Sequence, residues 1–285
     1  MNKSFIVENE NNMRIDRYLA ETSDGLSRSH IQKLIKDGDI TVNDKPVKAN
    51  YRLISGDNIK INIPDLKEPD IAAENIPLDI LYEDEDVIIV NKPKQMVVHP
   101  APGHYTGTLV NALMYHCRGD LSGIHGDLRP GIVHRIDMDT TGSLIVCKND
   151  AAHQSLAKQL KEHSINRVYV AVVYGNIKED KGTVDVPIGR HPTDRKRMST
   201  HARNAREAVT HYEVIERFKG YTYIKCQLET GRTHQIRVHM ASIGHPLVGD
   251  PVYGPRKNLF PELQGQALHA KTLGFIHPTT KKYME

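Results

Sequence analysis

The chain has 285 residues, and its 38 Lys and Arg against 35 Asp and Glu leave a net charge of +3. That length buries a sizeable core in one or two domains, but a charge sum so close to balance does not by itself identify a polyanionic partner. Cys117, Cys147 and Cys226 lie too far apart for a zinc ribbon or a disulfide framework, the start MNKSFIVENENNMRID has no apolar leader core, and no stretch reaches the roughly eighteen apolar residues of a membrane span, so a cytoplasmic protein is expected.

Residues 13–64 read as a self-contained unit. MRIDRYLAET places Ile15 and Leu19 four apart on one helical face, and LSRSHIQKLIKDG offers Ser27 as a cap, Ile31, Leu34 and Ile35 as an apolar stripe, and Gly38 as a stop. ITVNDKPVK then reads as a strand, a polar turn at Asn43-Asp44 and a second strand, and DNIKINIP alternates towards Pro64. Arg14 and Arg17 share a face of the first helix at spacing three, Lys33 and Lys36 do so on the second, and Arg28 stands at its start. Such a surface could meet a phosphate backbone or simply be a solvated helix face.

Residues 65–77, DLKEPDIAAENIP, are acidic, bracketed by prolines and without period, and read as a linker. The larger domain, 78–285, opens with LDILYEDEDVIIVNKP, a hairpin around the acidic turn Glu83 to Asp86. A helix is expected from about Thr108 to Tyr115, SLIVCK as a buried strand, HQSLAKQLKEH as a helix, and RVYVAVVYG as a strand rich in branched and aromatic residues. Further strands fall at about 183–188, 207–216 and 221–229, and THQIRVHMASIG reads as a helix capped by Thr233, with Ile236, Met240 and Ile243 on its apolar side and Gly244 as its stop. Strands dominate and helices do not alternate with them, so the expected class is α+β with a mixed, largely antiparallel sheet. The basic stretch GRHPTDRKRMSTHARNAR, which includes Arg195, Lys196 and Arg197, is rich in Pro, Ser, Thr and Asn and is expected as a loop between strands rather than a packed element. It suits a clamp for a polyanion.

GIVHRIDMDTTG, residues 131–142, is the stretch that most invites a chemical reading. Its D-x-D-T string fits an aspartate-nucleophile phosphotransferase, which needs an apolar strand before the pair and further carboxylates for a metal. Here His134 and Arg135 precede it, and Asp250 stands alone in VGDP, so that reading fails. Walker, dinucleotide-binding, H-E-x-x-H and nucleophile-elbow motifs are all missing, and the histidines, such as His234 and His239 five apart, form no ligand set. What remains is a single carboxylate working without metal, with Arg135, Tyr169 and Arg237 as candidate partners; an adjacent arginine keeps an aspartate ionised.

Two resemblances sharpen this. RxDRYLA, SRSxIQKLIKDGxIxVNxKPV and GD resemble the S4 RNA-binding module and imply RNA binding by the first unit through Arg14, Arg17, Arg28, Lys33 and Lys36. PGIVHRIDMDTTGSLIV is similar to the HRLDxxTSG signature of the large-subunit ribosomal RNA pseudouridine synthases A and D; RVYVAVVYG resembles their (K/R)xYxAxVxG strand, and LETGRTHQIRVHMASIGHPLVGDPVYG their third signature. KPKQMVVHP and PIGRHPTDRKRM also match, the likeness covers nearly all of 78–278, and with the S4 module the architecture resembles the synthase D branch. The resemblance implies Asp137 as the catalytic carboxylate, Asp139 as dispensable, Tyr169 stacked on the uracil, Arg237 paired with Asp137, and Arg232 and His234 as contacts to RNA or structure. It implies that Arg135 enters the space left by an extruded nucleotide, and that Arg195, Lys196 and Arg197 face RNA. It implies no cofactor and no metal, a monomer acting on large-subunit ribosomal RNA or a pre-ribosomal particle, and relatives that continue beyond HPTTKKYME with a further strand. A noncatalytic RNA-binding or assembly factor on the same scaffold is the alternative.

Overall fold

The computed structural model describes the chain except residues 1, 9–11, 23–27, 63–70, 102, 119–120, 125–128 and 258, and except the side chains of residues 2, 3, 29, 30 and 33. The chain forms two compact units, Met1–Glu68 and Pro69–Glu285. No helix among the described residues is long and apolar enough to cross a membrane.

The first unit runs β1 (Asn2–Ile6), α1 (Ile15–Thr22), α2 (Arg28–Asp37), β2 (Ile40–Val42), β3 (Lys45–Pro46) and β4 (Asn58–Asn62), with the strands in the antiparallel order β1-β4-β2-β3. Asn43 and Asp44, at φ 49° and 63°, are both left-handed, as a two-residue hairpin turn between twisted strands requires. Ile15, Leu19, Ile31, Leu34 and Ile35 bury the expected helical stripes against Ile40, Ile59 and Ile61. The expected cap Ser27, Pro64 and residues 65–70 of the expected linker lie outside the described residues. The opening strand β1 escaped the sequence reading, because five residues with so short an apolar run carry little period of their own.

The expected pairing of Arg14 and Arg17 on one helix face does not form. Arg14 precedes α1 and turns to Asp16, a carboxylate buried at the helix start. Arg28 from α2 reaches the same carboxylate at 3.0 Å, and Gln32 donates to it at 2.6 Å, while Arg17 pairs with Glu21 at 2.8 Å along its own helix. Burial pushes the Asp16 carboxyl up, but the hydrogen bonds from Arg14, Gln32 and Arg28 more than offset this and hold it well below the usual carboxylate range.

The second unit is built on a nine-stranded sheet among the described residues. Its elements are β5 (Ile80–Glu83), β6 (Val87–Lys92), α3 (Leu109–His116), β7 (Thr141–Cys147), α4 (Asp150–Lys161), β8 (Asn166–Tyr174), β9 (Lys181–Asp185), β10 (Gly189–Arg190), β11 (Met198–Ser199), β12 (Val209–Phe218), β13 (Tyr221–Leu228), α5 (Gln235–Ser242), β14 (Leu268–Ile276) and β15 (Tyr283–Met284). The order is β5-β6-β7-β14-β8-β13-β12-β9, with β15 on β14 and with β7-β14 as the parallel pair. The sheet is therefore mixed and mostly antiparallel, and the class is α+β as expected. Residues on α3 and α5 pack on one face with Tyr169 and Leu268, and those on α4 pack on the other with Val87 and Ile145. Residues 71–77, expected within the linker, lie along α3: Asn111 donates to Ala72 O at 2.8 Å and Ile71 is buried.

Gly142 shows why a glycine closes the DMDTTG stretch. It sits at φ 111°, and a Cβ there would lie 2.3 Å from Ala270 O, so only a bare backbone lets β7 approach β14 this closely. The expected Thr233 cap is not used. Thr233 is exposed, His234 takes the N-cap of α5 at φ 57°, and the Gln235 carboxamide ties the turn by accepting from Arg232 N at 2.9 Å and Thr230 Oγ1 at 2.7 Å. Ile243, expected on the apolar side, lies past the helix end and is 39% exposed, while Arg237 and His239 are buried.

The basic stretch at 190–206 is largely exposed turn and loop between β9 and β12, as expected, but a two-residue strand pair anchors it to the domain. β10 and β11 pair antiparallel, Met198 packs with Ile188, Ala208 and Val238, and Met198 N donates to Tyr253 Oη at 2.8 Å. Its polar composition concealed this because a two-residue pair is anchored by long-range partners and not by its own period.

The Asp16 cluster yields a test. Asp16→Asn leaves two arginines without their shared counterion and is expected to destabilise the first unit by about 2 kcal/mol, the low side for a buried pair because both arginines are half-exposed. Since the folded carboxyl is held low, its stabilisation is present at neutral pH and is lost on acidification below about pH 4. Amide exchange at α1 and β4 of the whole chain, followed with pH, reads both effects; equal protection in the variant and wild type would contradict them.

Candidate active site

The turn carrying Asp137 is held by a buried cation. Lys92, at the end of β6, is fully buried and donates to Pro93 O at 2.7 Å and to Met96 O and Met138 O at 2.9 Å each. Burial pushes its ammonium down to about 8, with Asp139 and Asp137 opposing, so it stays mostly charged at neutral pH. Thr140 N donates to Asp137 O at 3.1 Å across the Met138-Asp139 corner, and Gln266 Nε2 donates to Thr140 Oγ1 at 3.0 Å. The backbone that presents Asp137 is thus fixed from below and from the side.

Its carboxylate meets an arginine a hundred residues away. Arg237 Nη1 donates to Asp137 Oδ2 at 2.8 Å, while Arg237 Nε and Nη2 donate to Asp250 Oδ2 and Oδ1 at 2.7 and 3.0 Å. The side chains of Arg237 and Asp250 are 5% and 0% exposed and that of Asp137 is 20% exposed, so the fork is buried and only Asp137 reaches solvent. Asp250 Oδ1 also accepts from the amides of Val252 and Tyr253 at 2.8 and 3.0 Å. Burial pushes Asp250 up, but the Arg237 guanidinium and these amides hold it below the usual range; burial likewise works against the Arg237 charge, and Asp250 with Asp137 raises it well above normal. The Tyr253 ring lies 5.3 Å from the guanidinium carbon of Arg237 and 5.6 Å from that of Arg197.

Above Asp137 lies an open pocket of about 360 Å³. Its polar lining includes Arg135, Asp137, Arg232, His234 and Arg237, and its apolar lining includes Ile136, Leu228, Ile236 and Leu268, with Tyr169 on the wall. Tyr169 is buried, and burial, reinforced by Asp137 and opposed by Arg167, pushes its hydroxyl up to about 12, so it is a neutral phenol at pH 7. His234 Nε2 stands 3.9 Å from Asp137 Oδ1 and its Nδ1 is 2.8 Å from Tyr253 Oη. Burial lowers the His234 pKa despite Asp137, which leaves the ring neutral beside the carboxylate. A pocket of this kind offers a flat apolar wall for a planar ring and one ionised oxygen pair for chemistry.

Six sequence-derived candidates thus come together: Asp137, Tyr169, Arg237, Arg135, Arg232 and His234 line one pocket. Arg135 is exposed at its rim, with Nη1 3.4 Å from His99 Nε2. Arg195 and Lys196 are exposed, whereas Arg197 is turned inward over Tyr253. Within the first unit Lys36 is exposed, Arg14, Arg17 and Arg28 are engaged by carboxylates, and the Lys33 side chain lies outside the described residues. Asp250 does not stand alone: it is the second anion of Arg237. The string GDPVY carries the one local hint, a carboxylate that accepts from the amides two and three residues on. Lys92 was missed as well, although a lysine that ends the apolar run VIIVN just before a proline is its visible signal. Asp139 is half-buried against Gly265, where burial pushes its carboxyl up against the opposing charges of Arg237, Lys92 and Lys94. Among the described residues the one group with metal-ligand types together is Asp84, Asp86 and His277. There His277 Nε2 bonds Asp84 at 2.8 Å and Nδ1 accepts from the amides of Thr279 and Thr280, which accounts for the cluster without an ion.

Residues 86–242 match the RNA pseudouridylate synthase family and residues 13–59 match the S4 domain. The chain is 56% identical to the uncharacterized RNA pseudouridine synthase YlyB of Bacillus subtilis over 98% of this chain and 90% of that protein. It is 47% and 43% identical to proteins named ribosomal large subunit pseudouridine synthase D in Zymomonas mobilis and Escherichia coli, over 95% and 98% of this chain and 88% of each of them. Among solved structures, human RNA pseudouridylate synthase domain containing 1 superposes with a TM-score of 0.62 at 28% identity, over 74% of this chain and 83% of that one. The chain belongs to the RNA pseudouridylate synthase family: it is an RNA pseudouridine synthase, an isomerase, with an N-terminal S4 domain.

Proposed function

We propose that the enzyme isomerises specific uridines of large-subunit ribosomal RNA, with Asp137 as the catalytic carboxylate. The observation that carries this reading is the Asp137 carboxylate beside the Tyr169 wall, hydrogen-bonded by Arg237 and facing an open pocket. The ribosomal substrate is supported by the names of relatives 43 to 47% identical over nearly the whole chain. Exposed basic residues on both units, Lys36, Arg135, Arg195 and Lys196, suit a polyanionic substrate.

The reaction follows from what the pocket contains. A uridine in folded RNA reaches Asp137 only when unstacked, which costs a few kcal/mol and is offset by contacts in the pocket. Arg135, at the rim, enters the space the base leaves. The carboxylate reacts at the sugar, the bond from the sugar carbon to the base nitrogen breaks, and the freed uracil rotates against Tyr169. A bond from the same sugar carbon to carbon five then forms as that carbon is released from Asp137, which restores the free carboxylate. The carbon-five proton leaves as the nitrogen gains one, so atoms and electrons balance within the substrate. Tyr169 stacks on the uracil and, as a neutral phenol at pH 7, assists loss of that proton only by hydrogen bonding and relay through its hydroxyl, not as the base that takes it. Arg237 keeps Asp137 ionised and oriented, and Asp250 sets the plane of Arg237.

Asp137→Asn is expected to bind RNA within about twofold of wild type and to lose turnover by about three orders of magnitude or more, while Asp139→Asn stays within a few-fold of wild type. Robust product from Asp137→Asn would sink the assignment. Asp250→Asn weakens the fork without emptying it, and kcat is expected to fall about ten- to a hundred-fold with KM little changed; steady-state kinetics on an in vitro transcript checks this, and a KM effect alone would speak against a positioning role. The substrate itself is tested by mapping pseudouridines on ribosomal RNA from cells with and without this protein. Loss of particular large-subunit sites is expected, and an unchanged map would exclude large-subunit RNA.

A further inference from the structure

Two arginines of the second unit are buried to nearly the same degree, Arg237 at 5% and Arg167 at 7% exposure, yet their surroundings differ. Arg237 has two aspartates. Arg167, two residues before Tyr169 on the same buried face of β8, has no ion pair among the described residues. It donates from Nη2 to Glu229 O at 2.9 Å, and among the described residues its Nε has no hydrogen-bond partner. A buried guanidinium with one neutral acceptor is costly, because the desolvation of its charge is not offset by an anion.

Arg167 borders a second open cleft, of about 1180 Å³, whose charged lining is all cationic: Arg135, Lys161, Arg167 and Arg232, with His134 and His163 beside them. Among the described residues no Asp or Glu lines it. Gly231 leaves the guanidinium its place, since a Cβ there would stand 2.5 Å from Arg167 Nη1. Arg135, Tyr169, Leu228 and Arg232 line both this cleft and the Asp137 pocket, so the two cavities share a wall. Burial together with the charge of Arg167 pushes His134 down to about 3, and its Nε2 accepts from Ile145 N, so that ring stays neutral and contributes no positive charge.

We infer that the cleft formed by Arg135, Lys161, His163, Arg167 and Arg232 is a subsite for a backbone phosphate of the RNA strand, occupied while the adjacent uridine lies in the Asp137 pocket. This rests on the reading of the pocket as the uridine site. The phosphate is the missing counterion of Arg167, and the shared wall fits a strand whose base enters one cavity while its backbone follows the other.

The test uses the full-length enzyme, an in vitro transcript of large-subunit ribosomal RNA, and the variants Arg167→Gln, Arg167→Lys, Lys161→Gln and Lys158→Gln. Each of Arg167→Gln and Lys161→Gln is expected to flatten the slope of log affinity against log salt by about 0.7 to 0.9, the amount for one phosphate contact. Both are expected to raise KM several-fold with kcat within about threefold of wild type, and Arg167→Lys to recover much of the loss. Lys158→Gln, on the exposed side of α4 and outside the cleft lining, should change neither. Wild-type slopes in folded Arg167→Gln and Lys161→Gln would overturn the subsite, as would a fall in kcat without a change in KM. If Arg167→Gln does not fold, Lys161→Gln and Arg232→Gln decide by the same slope. Thermal stabilisation by inorganic phosphate that is lost in Arg167→Gln, with an unchanged RNA slope, would mark a free-anion site and refute the RNA role. Pseudouridine formation by the wild-type enzyme in the same transcript tests the substrate separately, because the salt slope is read from binding alone.

Discussion

The guanidinium of Arg237 is shared between two carboxylates of unequal exposure, and the arrangement of the site follows from that division. Asp250 is fully buried, takes the Nε and Nη2 donors as a fork, and is itself pinned by the amides of Val252 and Tyr253. One donor, Nη1, is left for Asp137, whose second oxygen faces His234 across 3.9 Å and remains open to the pocket. A buried arginine with a single aspartate would be free to swing in its plane; the second anion fixes that plane and makes Asp137 the carboxylate with reach. Tyr253, stacked near the same guanidinium, ties in the basic segment through Met198 N and Arg197, so the segment at 190–206 is joined to the floor of the site.

The sheet makes this meeting possible. β7, β14 and β8 are neighbours, so the turn before β7 delivers Asp137 next to Tyr169 on β8, and α5 lies on the same face with Arg237. The close approach of Gly142 to Ala270 and the three carbonyls gathered by Lys92 fix where the Asp137 turn ends and begins. The same face of β8 carries Arg167 past Tyr169 to the second cleft, and a period of two therefore lays an aromatic wall and a cation in succession along one strand.

Elements with a strong period or a dedicated turn were readable in the chain. β8 alternates buried and half-buried along its whole length, α4 buries Leu156 and caps itself with Asn149, and Asn43-Asp44 makes the tight turn its residue types favour. Asp137, Tyr169 and Arg237 were readable for another reason, since the strings around them are similar to signatures of a family; nothing in their spacing alone brings them together. Where the reading failed, a long-range partner had overridden local pattern. Arg14 turned to the buried Asp16 instead of sharing a face with Arg17, Gln235 displaced Thr233 as the organiser of the α5 turn, and the loop at 190–206 gained a two-residue strand pair through Met198, which Tyr253 and Val238 hold.

By itself the sequence determined the α+β class, the succession of most strands and helices, and the candidate carboxylate, because binary pattern, turn chemistry and motif are properties of neighbouring residues. The tertiary structure alone decided that Asp250 belongs to Arg237, that Lys92 holds the Asp137 turn, and that Arg167 is buried with no anion beside it among the described residues. Each of these is a statement about which charges share a low-dielectric space, and residues brought together from distant parts of the chain leave no period by which to find them.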